Sequence, residues 1–167
     1  MKRNHFKWIL GSEYIKILTE RNIDEHHIAD YIMQSFDGFL DLVEIKVPFL
    51  KFWTGPDSHG NYTPSSELVS AISQCLNYLH RIEKQSDSLD FHQRVSGIEI
   101  VKPKCMLVYG RSNHWNDKQK EAFRILNSAY QQVNIITYDQ LLERAKHLLG
   151  IGEPIYSFNE FDDDLPF

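Results

Sequence analysis

Long apolar runs are missing from this 167-residue chain. No stretch approaches the ~20 residues that a helix needs to cross a bilayer, so a membrane-spanning helix is excluded. The basic start, Met-Lys-Arg-Asn-His-Phe-Lys-Trp, has no apolar segment behind it, which points away from secretion. Cysteine is scarce: Cys75 and Cys105 show no metal-binding spacing and read as reduced, buried thiols of a cytoplasmic protein. The eight histidines show no ligand spacing either. His26 and His27, adjacent on a turn, are poorly placed for one metal and are expected at the surface. No internal repeat or linker divides the chain, so residues 1–150 are expected to form one domain and residues 151–167 an acidic tail.

What is present is ordinary in amount and informative in position. Hydrophobic residues make up 42% and charged residues 25%, as in a soluble globular protein. Of the net charge of −5, four acids (Glu160, Asp162, Asp163, Asp164) lie in residues 160–167, which leaves the preceding residues at −1. A near-neutral body with local basic patches can still hold DNA, because the local field around phosphates decides binding.

Along the chain, residues 10–21 read as a helix with Ser12 as its N-cap and Tyr14, Ile15, Ile17 and Leu18 on its apolar side. Strands are expected at 28–33 and 40–47, joined by the Asp37-Gly38 turn. Residues 49–63 read as an irregular aromatic loop that either covers the sheet or serves a site; Lys51 lies in it. A helix is expected over 64–83 with Leu68, Ile72, Cys75, Leu76 and Leu79 inward. A polar loop or frayed helix extension follows at 85–97. Short strands are expected at 98–101, 104–109 and 133–137 and helices at 116–132 and from Asp139, the latter capped by Asp139, with Leu141, Leu142, Ala145, Leu148 and Leu149 inward and Gly150 past its end. The fold class is α/β, a mixed central sheet flanked by helices.

The chemistry concentrates in residues 29–46. Glu44 and Lys46 share one face of an otherwise apolar strand, and the hairpin brings Asp30 near Glu44. Buried charges are costly unless paired or bound to metal. Two carboxylates beside a lysine suit a divalent cation and a phosphodiester. Asp41 falls on the opposite face and reads as structural. Gln74 and Tyr78 share a stripe of the following helix. Arg111, after a strand and a glycine, is open between contact with DNA, contact with a partner subunit and pairing with an acid.

Asp30, thirteen intervening residues, then Glu44-Ile45-Lys46, with Gln74-x-x-x-Tyr78 on the next helix, resembles the PD-(D/E)XK nuclease core. Five further stretches, Leu10-Gly-Ser-Glu-Tyr, Asp-Gly-Phe-Leu-Asp-Leu-Val-Glu-Ile-Lys-Val-Pro, Gln-Cys-Leu-Asn-Tyr-Leu, Lys-Pro-Lys-Cys-Met-Leu-Val-Tyr-Gly-Arg and Ile-Thr-Tyr-Asp-Gln-Leu-Leu, are similar to the nuclease domain of the Shedu family of bacterial anti-phage defence proteins. The resemblance covers roughly residues 9–149. It implies a restriction-endonuclease-like core, a homo-oligomer (dimer or tetramer) and a DNA substrate. It also implies Mg²⁺ or Mn²⁺ on Asp30, Glu44 and the main-chain carbonyl of Ile45. Lys46 would act on water and phosphate, with Gln74 and Tyr78 orienting it. Glu13 is open between an outer metal ligand and a solvated or capping residue.

The end of the chain, Phe161-Asp-Asp-Asp-Leu-Pro-Phe167, resembles the acidic tip of bacterial single-stranded-DNA-binding proteins. That resemblance implies docking of Phe167 on a replication or repair protein; a solubilising tail is the alternative. The functional expectation is a metal-dependent DNA endonuclease of phage defence. A repair or resolvase-like nuclease, or a non-catalytic module recruited through its tail, stand as alternatives.

Overall fold

The computed structural model describes residues 9–150. Residues 1–8 and the acidic tail with its terminal Phe167 lie outside the described residues. Three antiparallel strands open the fold: β1 (Tyr14–Asn22), β2 (Ile28–Ser35) and β3 (Leu40–Ile45). Gly38, with φ of 97°, turns β2 into β3 at the expected Asp-Gly pair. A small hairpin, β4 (Trp53–Pro56) and β5 (Tyr62–Pro64), precedes the long helix α1 (Ser66–Lys84) and the short helix α2 (Leu89–Arg94). The chain then alternates: β6 (Cys105–Val108), α3 (Asp117–Ser128), β7 (Val133–Ile136) and α4 (Tyr138–Leu148). The five-stranded sheet has the order β1-β2-β3-β6-β7, with β3, β6 and β7 parallel. This is the mixed α/β sheet that the sequence predicts.

The first element departs from expectation. Residues 14–22 form a strand where the apolar spacing suggests a helix. Tyr14, Ile15, Ile17 and Leu18 satisfy both templates, but Tyr, Ile and Thr favour a pleated strand. Pairing with β2 from Tyr14↔Ser35 to Asn22↔Ile28 decides between them. The strand sends Leu18 into one core and Tyr14 into the other, which no single helix face does.

Smaller corrections follow the same pattern of local signals overruled by contacts. The aromatic loop contains β4 and β5, and Phe52 lies in ring contact with Trp53, Tyr109, Trp115 and Phe123. The polar stretch after α1 holds the separate helix α2, capped by Ser88. The strand expected at 98–101 is reduced to one bridge, Phe39 to Glu99. Leu76 of α1 is 40% exposed rather than inward. In α4 only Leu141 is buried; Leu142, Leu148 and Leu149 face outward, and Thr137, not Asp139, caps the helix. Gly150 does follow the helix with a φ of 64°.

Both faces of the sheet are covered, which explains why every residue of β6 is buried. Ile32, Leu42 and Leu107 pack in a core with Leu68, Ile72, Cys75 and Leu79 of α1. Met33, Val43, Met106, Val108 and Ile136 pack with Leu141 of α4. Strand alternation puts Glu44 on the Leu42 side. A carboxylate therefore faces α1 from within an apolar layer.

Candidate active site

The ladder between β2 and β3 runs from Gln34↔Leu40 to Tyr31↔Val43 and there gives way to a side chain. The Ile45 N–H donates to Asp30 Oδ2 at 2.8 Å. This contact ties Asp30 to the Glu44–Ile45 peptide and brings the two strand ends into one site. The β3 backbone stays anchored on its other side, since the Lys46 N–H donates to the Val108 carbonyl at 2.9 Å.

Glu44 is 6% exposed. Its Oε1 accepts from Lys46 Nζ at 2.8 Å and from Gln74 Nε2 at 3.2 Å. Lys46 Nζ also donates to Gln74 Oε1 at 2.8 Å, and Gln74 Nε2 to the Tyr78 hydroxyl at 2.7 Å. An ammonium only donates, so the amide atom facing Lys46 must be oxygen, and the orientation of Gln74 follows. The Tyr78 oxygen is an acceptor in this chain, which leaves its own proton free for a further acceptor.

α1 delivers Gln74 and Tyr78 because its start and its face are both fixed. Ser65 caps the helix, its hydroxyl accepting from the Leu68 N–H at 3.1 Å. Leu68, Ile72, Cys75, Leu79 and Ile82 set the buried stripe, and at its edge Gln74 meets Glu44 at the end of β3, with Tyr78 one turn further on.

Burial pushes the Glu44 carboxyl above its usual range; the Lys46 hydrogen bond opposes this, and the Asp30 charge adds to it. Burial works against the Lys46 charge, but the hydrogen bond to Glu44 and the charges of Glu44 and Asp30 outweigh it, and its pKa is raised. One lysine thus offsets one of two neighbouring carboxylates. A residual negative charge in a half-buried, oxygen-rich place suits a hard divalent cation.

The donor set fits such an ion. Asp30 holds the Ile45 N–H on Oδ2 alone, and Glu44 uses Oε1 for both side-chain donors. Each carboxylate keeps a second oxygen that takes no side-chain hydrogen bond among the described residues. No third acidic, histidine or cysteine side chain joins them into a metal-binding group among the described residues. The pair suits Mg²⁺ better than a caged ion, since Mg²⁺ keeps several waters. An open cleft of about 590 Å³ leads away from this point, lined by Lys46, Gln74, Leu50, Ser66, Ser70 and Tyr109.

The structure therefore brings together Asp30, Glu44, Ile45, Lys46, Gln74 and Tyr78. It does not bring Glu13. That residue is exposed on the turn before β1, next to the Tyr14↔Ser35 pair, at the far end of the sheet; its carbonyl accepts the Phe36 N–H at 2.8 Å. The acid level with Asp30 on β1 is Glu20, between the pairs Thr19↔Tyr31 and Arg21↔Ala29, and its φ is 47°. Asp41 is structural, accepting from the Lys104 N–H at 2.7 Å and from the Tyr14 hydroxyl at 3.3 Å. Arg111 pairs with an acid, Asp139, at 2.8 Å.

Two neighbours escape a reading of the motifs. Tyr138, at the start of α4, donates its hydroxyl to the Lys46 carbonyl at 2.6 Å. Burial raises the pKa of this phenol and the Asp30 charge adds to it, which places Tyr138 beside the carboxylates. The His27 and Tyr78 rings meet in a T-shaped contact. Both lie far in sequence from the residues they touch, and neither carries a motif.

Residues 3–142 match the family model described as Shedu protein SduA, C-terminal. The chain is similar to the Shedu protein SduA of Bacillus cereus (strain B4264), with 26% identity over 147 residues. The matched region is 84% of this chain and 38% of that relative, so the chain spans well under half the relative's length.

Proposed function

The chain belongs to the Shedu SduA family, and from that membership and the geometry at the end of β3 we propose that it is a metal-dependent DNA endonuclease of anti-phage defence. The observation that carries this reading is the closed network of Glu44, Lys46 and Gln74 beside Asp30. An internal ion pair needs no amide from another element to clamp it. A lysine whose direction must be set does.

Asp30, Glu44 and the Ile45 carbonyl would hold Mg²⁺ or Mn²⁺. Such an ion supplies Lewis-acid polarisation of the scissile phosphate and a more acidic water. Lys46, held between Glu44 and Gln74, presents its ammonium to the attacking water or to the charge that grows on the phosphate oxygens. Gln74 fixes where that ammonium stands. The Tyr78 hydroxyl, already accepting from Gln74, has its proton left to donate to a phosphate oxygen. The sheet and helices around this site fit a restriction-endonuclease-like core.

In this reading the protein works in the cytoplasm as a homo-oligomer, dimer or tetramer. A repair or resolvase-like nuclease would use the same site. The Asp-Asp-Asp-Leu-Pro-Phe ending favours a second role, recruitment to a replication or repair protein through Phe167. Deleting Phe167 should abolish binding to a replication protein that carries a pocket for such tips. Unchanged binding, or none by the intact chain, removes that role.

Incubation of linear and circular DNA with Mg²⁺ or Mn²⁺ tests the main reading. Cleavage that stops on chelation supports it. Intact DNA under every metal condition overturns it.

A further inference from the structure

Lys46 is the inner end of a longer chain of contacts. We propose that Asp24 and His27, on the turn between β1 and β2, form its outer end, and that His27 is a positioning residue for cleavage; this rests on the nuclease reading. Three residues on one stripe of α1, at spacings of four and three, are each met by a group from the sheet side. Gln74 meets Lys46 and Glu44, Tyr78 meets His27, and Arg81 meets Asp24.

The outer end is well determined. Asp24 Oδ1 accepts from the His26 N–H at 2.9 Å and lies 2.6 Å from His27 Nδ1, while Oδ2 accepts from Arg81 Nη1 at 2.8 Å. The His26 N–H first, then the His27 ring, hold the Asp24 carboxyl well below the usual carboxylate range. An ionised carboxylate only accepts, so Nδ1 carries the proton and the ring's orientation is set. The His27 ring then stands 5.7 Å from the Tyr78 ring, at 77° between planes. This edge-to-face contact and the Gln74 hydrogen bond are the two directional contacts of Tyr78 among the described residues.

The consequence reaches Lys46. The terminal amide of a glutamine turns in a broad well, and partners fix its angle. Gln74 is fixed by Glu44, Lys46 and Tyr78. If Tyr78 can swing into the space left by His27, Gln74 loses one of its three restraints and the ammonium loses its aim. His27 thus acts through the contact of its ring with the Tyr78 ring, not through its second nitrogen.

Single-turnover cleavage by the full chain, with DNA affinity and thermal midpoint measured beside it, separates these roles. His27→Ala is expected to slow cleavage about tenfold with DNA affinity little changed, and His27→Phe, which keeps an aromatic ring against Tyr78, to restore the rate. In a Tyr78→Phe background, His27→Ala should cost much less than in the wild type, because both act on one restraint. Full activity of His27→Ala, a His27→Phe as slow as the alanine variant, or strictly additive losses would overturn the proposal. A second readout needs neither DNA nor metal: the Gln74 side-chain amide signals in proton–nitrogen NMR should move in His27→Ala and return in His27→Phe. Signals that stay in place overturn the coupling. A wild type that cleaves no DNA counts against the nuclease reading, and the amide signals then decide the coupling by themselves.

Discussion

Lys46 is held at both ends. Its ammonium lies 2.8 Å from Glu44 and 2.8 Å from Gln74, and its carbonyl accepts the Tyr138 hydroxyl at 2.6 Å. The second anchor controls the backbone from which the side chain departs. Tyr138→Phe deletes one hydrogen bond and little volume, so it should cost about 1 kcal/mol of stability, measured by urea unfolding. Loss of that anchor should also slow cleavage while leaving DNA affinity near that of the wild type. An unchanged rate would show that the Lys46 backbone needs no support from α4. That Asp30, Glu44, Lys46, Gln74 and Tyr78 gather in one place was legible in sequence, because strand alternation and helical spacing put each on the side where the others lie. Tyr138 and His27 were not legible, because aromatic rings that support a site look like any others. For Glu13 the sequence left two readings open, and its exposed place on the turn before β1 fits the solvated one; the strand register that puts it there is concealed by residues 10–21.

At the scale of elements, the hairpin of β2 and β3 and the helix α1 were readable because each signal is nearly unambiguous. An Asp-Gly pair between apolar runs specifies a turn, and a long apolar stripe behind Ser65 specifies a helix. β1 was not, since four apolar residues in five fit either period and only pairing with β2 chooses. The start of α4 shows the same competition in detail. Thr137 takes the cap, its hydroxyl accepting from the Gln140 N–H at 3.3 Å, and Asp139 is freed to gather the loop after β6.

Asp139 accepts from Arg111 at 2.8 Å and from the Ser112 and Asn113 N–H groups at 2.6 and 3.2 Å. Burial would raise the pKa of this carboxyl, but the Arg111 hydrogen bond and the Ser112 N–H outweigh it, and the value lies below the usual 3.8. A depressed carboxyl contributes stability above its unfolded value and loses it as pH falls through its folded value. Asp139→Asn should therefore lower the thermal midpoint at neutral pH. The gap should narrow as pH drops below the usual 3.8. A gap of constant size across that range would show that charge plays no part in holding this loop.

For the whole molecule, the sheet order β1-β2-β3-β6-β7 puts the change from antiparallel to parallel pairing at β3. That strand carries Glu44 and leads into Lys46, with Asp30 contributed from one side and α1 from above. The site thus lies where the hairpin half of the fold meets its helical crossovers. Net charge said little about this, because four acids sit in residues 160–167 and Asp30 and Glu44 lie elsewhere. The SduA relative from Bacillus cereus extends well beyond the matched region, of which this chain is the counterpart. The candidate site draws on residues 24–138, inside the residues 3–142 that match the family model.

The central claim is that Lys46 and the two carboxylates act together on a phosphodiester. Single-turnover cleavage of DNA in Mg²⁺ or Mn²⁺, comparing the wild type with Lys46→Ala and Glu44→Ala at saturating protein, tests it most directly. Both variants should still bind DNA, and both should lose at least about a hundredfold in cleavage rate. Variants that cut DNA as fast as the wild type would contradict the account.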